Sequence, residues 1–285
     1  MRKVNAENCP VCGGGSFKNL LWIREVIYCC SSCKLFYRPR SKSEANNPKL
    51  MLEIYNEDNH NVNGLKVFAH EIIQFPISES TLIFDFGAGN KLLLNNLREK
   101  RKISDFQYVS LNLTPSGFLE LELNNCVITA NTLIEVFDLI AKHILAFNLD
   151  KIFFCAHHVF EHLDQFDSVF TQIKLSNIPT FIFLEVPAEE HFMIRTLIFK
   201  LCNKNPYFEG HVNFFSKKSL FNLANINGFM VSHFETRSIS QQSRLIFDFV
   251  DFLPGSIMFN ITSTLIRLPF VKKIPLTYFL VLNKS

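Results

Sequence analysis

Residues 81–91 read TLIFDFGAGNK, and this stretch decides the fold. An apolar run leads into Asp85, Gly87 and Gly89 follow, and a leucine-rich helical pattern begins directly afterwards. This order predicts a buried parallel strand, a tight turn and a helix whose N-terminus faces a ligand. Glycine is expected where the backbone takes a positive φ or approaches a ligand closely. A carboxylate at the strand end can accept hydrogen bonds from an ammonium group or a ribose hydroxyl.

Strand and helix patterns alternate along the chain after this stretch, which favours a parallel sheet covered by helices. With the run at 82–84, the apolar segments predict seven strands, of which the last is antiparallel. The other six segments are 108–111, 126–129, 151–155, 181–186, 229–234 and 276–282. The apolar pattern of residues 134–147 predicts a helix.

The first forty residues carry two CxxC motifs, Cys9 with Cys12 and Cys30 with Cys33, separated by seventeen residues. This separation is typical of a four-thiolate zinc ribbon. Cys29 is an alternative ligand, but Cys30 reproduces the two-residue gap of the first motif. Four protein ligands predict a closed, structural zinc site.

The chain divides into three predicted units. Residues 1–40 form a zinc-ribbon module, and residues 41–80 form a helical linker that acts as a lid over the site. Residues 81–285 form the main domain, in which residues 240–273 are an apolar helical insertion.

The composition limits where the protein acts and what it binds. A net charge of +3 argues against a nucleic-acid groove as its main function. Eight cysteines, five of them within the first 33 residues, indicate a reducing compartment. The apolar stretches are too short to span a bilayer, and no apolar leader follows Met1, so a cytoplasmic protein is expected.

Five motifs, in this order and spacing, resemble class I S-adenosylmethionine-dependent methyltransferases. They are DFGAG at 85–89, LNLTPS at 111–116, HHVFEHL at 157–163, FLEVP at 183–187 and GHVNFFSKKSLFNLANINGF at 210–229. The resemblance is to members with an N-terminal zinc-binding module, which include sugar C-methyltransferases, and it covers nearly the whole chain except about 240–273. It implies a doubly wound, seven-stranded Rossmann-like methyltransferase sheet with a small N-terminal zinc ribbon.

The resemblance also implies S-adenosylmethionine as cofactor, bound beyond the carboxyl ends of the strands. Two glycines would approach its methionine end, Asn112 would meet its ribose, and Ala130 with Asn131 would flank its adenine. Ala156 and His157 would line the side where the methyl group is transferred. The implied cofactor-binding residues are Asp85, Gly87, Gly89, Asn112, Asn131, Ala156 and His157.

Two positions depart from the family pattern. Lys91 replaces the third glycine, where its ammonium can hold the cofactor carboxylate or crowd the pocket. Asn112 replaces an acid, which removes a charge-assisted hydrogen bond to the ribose. These departures leave open a non-catalytic binding protein on a degenerate methyltransferase fold.

Methyl transfer from a sulfonium requires a protein to position the nucleophile and to remove its proton. Histidine suits the second task because its pKa lies near neutrality. His211 resembles the histidine that sugar C-methylating members place beside the substrate, although Gly210 stands where those members have a glutamate. Glu161 and His162 are further candidates, with the alternative that they only order their helix.

The sequence thus predicts a zinc-containing methyltransferase that acts on a small molecule, such as a nucleotide-linked sugar or a precursor of a surface polysaccharide. An RNA methyltransferase is the alternative enzyme, because some of these also carry an N-terminal four-ligand zinc module. The modest net charge argues against it.

Overall fold

The computed structural model describes most of the chain in twelve segments. These are residues 8–14, 17–20, 27–38, 62–89, 91–101, 106–113, 119–123, 126–163, 166–175, 178–188, 211–238 and 275–284. Most of the predicted lid, residues 41–61, and the predicted insertion, residues 240–273, lie outside the described residues.

The described residues form strands β1–β12 and helices α1–α5. The strands are β1 (Phe17–Leu20), β2 (Ile27–Cys30), β3 (Phe36–Tyr37), β4 (Thr81–Phe86), β5 (Gln107–Leu113), β6 (Leu119–Leu123), β7 (Cys126–Ala130), β8 (Lys151–His157), β9 (Thr180–Pro187), β10 (Asn213–Phe214), β11 (Phe229–Ser238) and β12 (Pro275–Lys284). The helices are α1 (Val62–Ile72), α2 (Leu92–Arg101), α3 (Leu133–Ala146), α4 (Phe166–Leu175) and α5 (Lys217–Ile226), and a 3₁₀ turn spans Phe160–His162.

Eight strands form a large sheet in the order β11-β12-β9-β8-β4-β5-β6-β7. The four central strands β9, β8, β4 and β5 are parallel, and β12 is antiparallel to both of its neighbours. The chain runs outward from β4 to β7 and returns to β8 on the other side of β4. This reversal of strand order creates the crevice in which doubly wound sheets bind ligands. The predicted fold class, a doubly wound Rossmann-like α/β sheet, is confirmed.

The predicted number of seven strands is wrong, because β6 is an eighth strand. β6 lies between β5 and β7 and is antiparallel to both. Its sequence, LELEL, places Leu121 and Leu123 in the core and leaves Glu120 exposed, which is the period-two pattern of a strand with one buried face. The insertion moves the end of β7 two strand spacings from β5, roughly 10 Å instead of roughly 5 Å.

Helices cover both faces of the large sheet, which is why its central strands are apolar on both sides. α1 and α2 pack on one face, where the buried residues include Phe68, Ile72, Ile83, Leu93, Leu97, Phe153 and Phe183. α3, α4 and α5 cover the other face, where the buried residues include Phe84, Val136, Ile140, Phe154, Phe166, Phe170, Leu220 and Leu223. Among the helices of the described segments, none combines the length and apolar character needed to cross a membrane.

A second, four-stranded sheet has the order β1-β2-β3-β10. Three of its strands come from the N-terminal cysteine region, whereas β10 comes from residues 213–214. Tyr37 pairs with Asn213, Phe36 pairs with Phe214, and the backbone N–H of Arg38 donates to the carbonyl of Val212 at 3.0 Å. The cysteine region is therefore joined by backbone hydrogen bonds to the segment that begins at His211.

Candidate active site and metal centre

The glycine turn lies at the carboxyl end of β4, in the middle of the large sheet. Gly87 and Gly89 have φ angles of +83° and +51°. A Cβ atom on Gly87 would lie 2.6 Å from Cγ2 of Val159, so packing alone requires glycine there. A Cβ atom on Gly89 would have no described atom within 4 Å, so the backbone borders open space. A ligand can therefore approach the backbone at Gly89.

Asn112 connects the end of β5 to this turn. Its Oδ1 accepts a hydrogen bond from the N–H of Gly89 at 2.7 Å. The N–H groups of Gly87 and Ala88 donate to the carbonyl of Leu111 at 2.8 and 3.1 Å. The structure thus places Asn112 beside the glycine turn, and its contact with a ribose stays a prediction.

Asp85 is 4% exposed and accepts a hydrogen bond from the hydroxyl of Tyr108. Burial raises the pKa of the Asp85 carboxyl to about 7, although the hydrogen bond from Tyr108 acts in the opposite direction. Burial and the neighbouring Asp85 also raise the pKa of Tyr108. Asp85 is therefore about half protonated near neutral pH, and its role with a cofactor stays a prediction.

The side chain of Lys91 points toward β6, the strand that the sequence did not predict. Its backbone has a φ angle of +56°, and its ammonium forms an ion pair with Glu122 on β6. Both side chains line a cavity of about 170 Å³, together with Arg98 and Tyr108. The charge of Lys91 is thus matched within the protein.

Ala156 and His157 lie inside the protein. Ala156 is fully buried in β8. The side chain of His157 is 7% exposed, and its ring centroid lies 5.2 Å from that of Phe68. Burial, with the charges of His158 and Arg237, lowers the pKa of His157 well below its usual value, so its imidazole is neutral. Their predicted position beside the methyl group stays a prediction.

Asn131 lies at the start of α3. It is exposed, and its backbone N–H donates to Oε2 of Glu135 at 2.8 Å, while the N–H of Glu135 donates to the Thr132 hydroxyl at 3.2 Å. These two bonds form a capping arrangement for the helix. Because β6 separates β7 from β5, the structure does not bring Asn131 next to Asn112.

The three candidate catalytic residues, Glu161, His162 and His211, do come together. Their ligating side-chain atoms all lie within 4.8 Å of one another. The rings of His162 and His211 are nearly perpendicular, with centroids 4.8 Å apart. The N–H of Val212 donates to the carbonyl of Glu161 at 2.8 Å, which fixes the two segments together. Glu209 and Gly210, which precede His211, lie outside the described residues.

Glu161 is the buried member of this cluster, with 1% of its surface exposed. Nδ1 of His158 lies 3.2 Å from Oε1 of Glu161. Burial raises the pKa of the Glu161 carboxyl, but the hydrogen bond with His158 and the charges of His158, His162 and His211 outweigh it and lower the pKa to about 2. Glu161 is therefore a carboxylate at neutral pH.

Glu185 and Arg237 form a buried pair that the sequence analysis did not predict. Nη1 of Arg237 donates to Oε2 of Glu185 at 2.5 Å, and the Thr277 hydroxyl donates to Oε1 at 2.9 Å. The Arg237 guanidinium also lies over the ring of Phe279, 4.5 Å from its centroid. The available signal was a single glutamate in the apolar strand FIFLEV, which a buried strand tolerates only with a charged partner.

Four cysteines come together in the N-terminal region: Cys9, Cys12, Cys30 and Cys33. The sulfur atoms of Cys9 and Cys33 are 3.5 Å apart, and those of Cys12 and Cys30 are 3.4 Å apart. Cys29 does not belong to this group, and its sulfur lies 3.8 Å from the carbonyl of Cys30.

Both CxxC motifs fold into the same turn. In each motif, the carbonyl of the first cysteine accepts a hydrogen bond from the backbone N–H four residues later. Gly13 donates to Cys9 at 2.9 Å, and Lys34 donates to Cys30 at 3.0 Å. Gly13 and Lys34 take the same left-handed conformation, with φ angles of +65° and +64°. The repeated turn directs two thiols from each motif toward one point.

No protein-family model matches this chain, and neither does any curated protein. Solved structures do match. A methyltransferase from Aquifex aeolicus is similar over 84% of this chain and 98% of its own, with 11% identity and a TM-score of 0.43. One from Thiobacillus denitrificans, in complex with S-adenosyl-L-homocysteine, is similar over 81% and 96%, with 10% identity and a TM-score of 0.41.

A third similar structure is coclaurine N-methyltransferase bound to N-methylheliamine and S-adenosyl-L-homocysteine. It is similar over 80% of this chain and 71% of its own, with 11% identity and a TM-score of 0.42.

Proposed function

We propose that the protein is an S-adenosylmethionine-dependent methyltransferase that acts on a small-molecule acceptor. One observation carries the proposal: Val159, in the segment that contains Glu161 and His162, packs directly against Gly87 of the glycine turn. The accessible backbone at Gly89 and a cluster of proton-accepting side chains are thus neighbours at the point where the strand order reverses.

The residues of the turn fit the methionine and ribose portions of the cofactor. Gly89 borders open space, Asn112 is held beside it, and Asp85 lies one residue before the end of β4. The resemblance adds Ala156 and His157 on the side of the methyl group and Asn131 on the side of the adenine. When bound, S-adenosylmethionine supplies an electrophilic methyl group on a sulfonium.

His211 is the proposed base for the acceptor. Its ring is adjacent to His162 and to the carboxylate of Glu161, which stabilises an imidazolium after a proton is taken up. The acceptor class suggested by the motif around His211 is a nucleotide-linked sugar or a related polysaccharide precursor.

The four cysteines would hold one Zn²⁺. A tetrahedral ion with Zn–S bonds of about 2.3 Å requires sulfur atoms about 3.8 Å apart, close to the observed 3.4 and 3.5 Å. With four protein ligands the ion would stabilise the ribbon and take no part in methyl transfer.

The proposal is tested by titrating the protein with S-adenosylmethionine in a calorimeter. We expect a dissociation constant in the micromolar range, about −8 kcal/mol. Asp85→Asn and Asn112→Ala are expected to weaken binding at least tenfold. Asp138→Asn, an exposed change on α3, serves as the matched control and should leave binding unchanged.

Absence of binding up to millimolar cofactor, from protein that is folded by circular dichroism, would contradict the proposal. It would instead favour a non-catalytic binding protein on this fold.

A further inference from the structure

We propose that Glu161, His162 and His211 form a second metal site, which binds a divalent transition-metal ion and is separate from the cysteine cluster. The three side chains provide two imidazole nitrogens and one carboxylate. This donor set suits ions such as Zn²⁺, Fe²⁺, Co²⁺ and Mn²⁺, whereas the four thiols of the ribbon favour Zn²⁺.

The ligand atoms are already close to one another. All three lie within 4.8 Å, and ligands bound to one ion at about 2.1 Å lie roughly 3–3.5 Å apart. Binding of an ion would therefore draw the three ligand atoms closer together.

The backbone that carries these ligands is fixed by hydrogen bonds between the two segments. Besides the bond from Val212 to Glu161, the side-chain amide of Asn213 donates to the carbonyl of Leu163 at 2.7 Å and to that of Phe160 at 3.3 Å. Asn213 is itself buried in β10. Metal sites require this kind of support, because ligands on loose segments lose affinity.

Glu161 indicates that a cation belongs at this place. Its side chain is 1% exposed, and its Oε2 has no hydrogen-bond partner among the described residues. Its other oxygen, Oε1, lies at hydrogen-bond distance from His158. A buried carboxylate oxygen without a partner is costly, and a metal ion would satisfy it while His158 orients the carboxylate from the second layer.

A neighbouring group makes a useful contrast. His157, His158 and Glu185 also lie within 4.8 Å of one another. Both carboxylate oxygens of Glu185 are already occupied, by Arg237 at 2.5 Å and by Thr277 at 2.9 Å. The cation of that group is therefore a guanidinium. Of these two groups, the Glu161 group is the one with a buried carboxylate oxygen that has no hydrogen-bond partner among the described residues.

Three protein ligands leave coordination positions open, and both histidines are partly exposed. A ligand with two neighbouring oxygen atoms, such as the vicinal hydroxyls of a sugar, would fit these positions beside the glycine turn. This choice of acceptor rests on the proposed methyltransferase function, whereas binding of the ion does not. The metal-bound form and the role of His211 as a base exclude each other: with the ion bound, His211 would be a ligand, and the ion would supply the activation by lowering the pKa of an acceptor oxygen.

Equilibrium dialysis of the full-length protein against Zn²⁺ tests the inference. The wild type is expected to bind about two ions per chain, and Glu161→Gln about one, with an affinity for the second ion lowered by more than about 100-fold. Glutamine keeps the shape of the side chain and an oxygen for His158. His70→Ala, an exposed histidine on α1, is the matched control and should retain both ions. Cys30→Ser should also bind about one ion, but lose the thiolate-bound one.

A measurement on the wild type alone guards against variants that fail to fold. Mn²⁺ should broaden the imidazole NMR signals of His162 and His211 and leave that of His70 sharp. One ion per chain in both the wild type and Glu161→Gln, without this broadening, would overturn the inference.

The same samples are titrated with S-adenosyl-L-homocysteine, so that the two proposals are tested separately. Binding of this ligand with only one metal ion per chain would remove the second metal site alone. Two ions without binding of the ligand would remove the methyltransferase function alone.

Discussion

The cysteine cluster and the Glu161–His162–His211 cluster both gather metal-binding side chains, but they are built differently. The cysteine cluster has four equal donors from two copies of one turn, and three of the four cysteines are buried. The second cluster has mixed donors from a 3₁₀ turn and from a residue that precedes a strand, and only its carboxylate is buried. Four equal donors saturate an ion and stabilise the fold, whereas three mixed donors leave room for a reacting molecule.

The largest effect is expected for loss of a ribbon ligand. Cys30→Ser should abolish the proposed zinc binding and unfold β1–β3, because structural zinc sites contribute about 10–16 kcal/mol of binding free energy to folding. Zinc content and hydrogen exchange of residues 27–38 measure this. Cys29→Ser is the matched control, one residue away, and should keep the zinc. Loss of zinc from Cys29→Ser but not from Cys30→Ser would show that Cys29, and not Cys30, is the ligand.

The second cluster should respond in rate and not in folding. With a sugar-nucleotide acceptor identified by screening, His211→Ala should lower kcat by about 10²–10⁴-fold and leave cofactor binding and the melting temperature nearly unchanged. His233→Ala, an exposed histidine on β11, should keep full activity. A loss of stability as large as that of Cys30→Ser would show that both clusters are structural.

The Arg237–Glu185 pair extends the comparison to a cluster whose cation is a side chain. Arg237→Met should destabilise the protein by about 3–5 kcal/mol in urea unfolding, because it leaves the Glu185 carboxylate buried without its partner. Changing both residues, Arg237→Met with Glu185→Leu, should recover most of this loss. Glu235→Gln weakens only the half-buried contact at 3.2 Å and should cost less than about 1 kcal/mol.

Asp85 provides an effect that depends on pH, because it is a buried acid whose partner among the described residues is the phenol of Tyr108. Its pKa is about 7 in the folded protein and about 3.9 in the unfolded chain, so the folded state binds more protons between these pH values. Stability due to this residue is therefore present at pH 4 and is lost as the pH rises toward 7. The melting temperature should decrease more between pH 5 and pH 8 for the wild type than for Asp85→Asn. An equal decrease in both proteins would mean that another group causes the pH dependence of stability.

Local sequence patterns predicted much of this structure. DFGAG, the alternation of apolar segments and the two CxxC motifs predicted the doubly wound sheet, its glycine turn and the group of four cysteines. The motif HHVFEHL and His211 supplied the three candidate catalytic residues, although His162 and His211 are far apart in the sequence and meet only in the folded chain.

The features that sequence reasoning missed depend on pairing between distant segments. The segment LELEL has only five residues and was not recognised as a strand, so β6 and its effect on the position of Asn131 were not predicted. Nothing local indicates that Arg237 meets Glu185, or that β8 turns His157 inward while His158 reaches Glu161. Strand register decides these contacts, and a one-residue shift would exchange the two histidines.

The pairing of β3 with β10 has a consequence for how the chain folds during synthesis. β3 is made early, but its partner at residues 213–214 appears only after most of the main domain has been translated. At about 5–20 residues per second, the edge of β3 waits on the order of ten seconds or more for this partner. Until residues 213–214 leave the ribosome, the early ribbon lacks the pairing with β10, which is the strand that covers this edge of β3 in the described part of the chain, and the edge is more open to other chains.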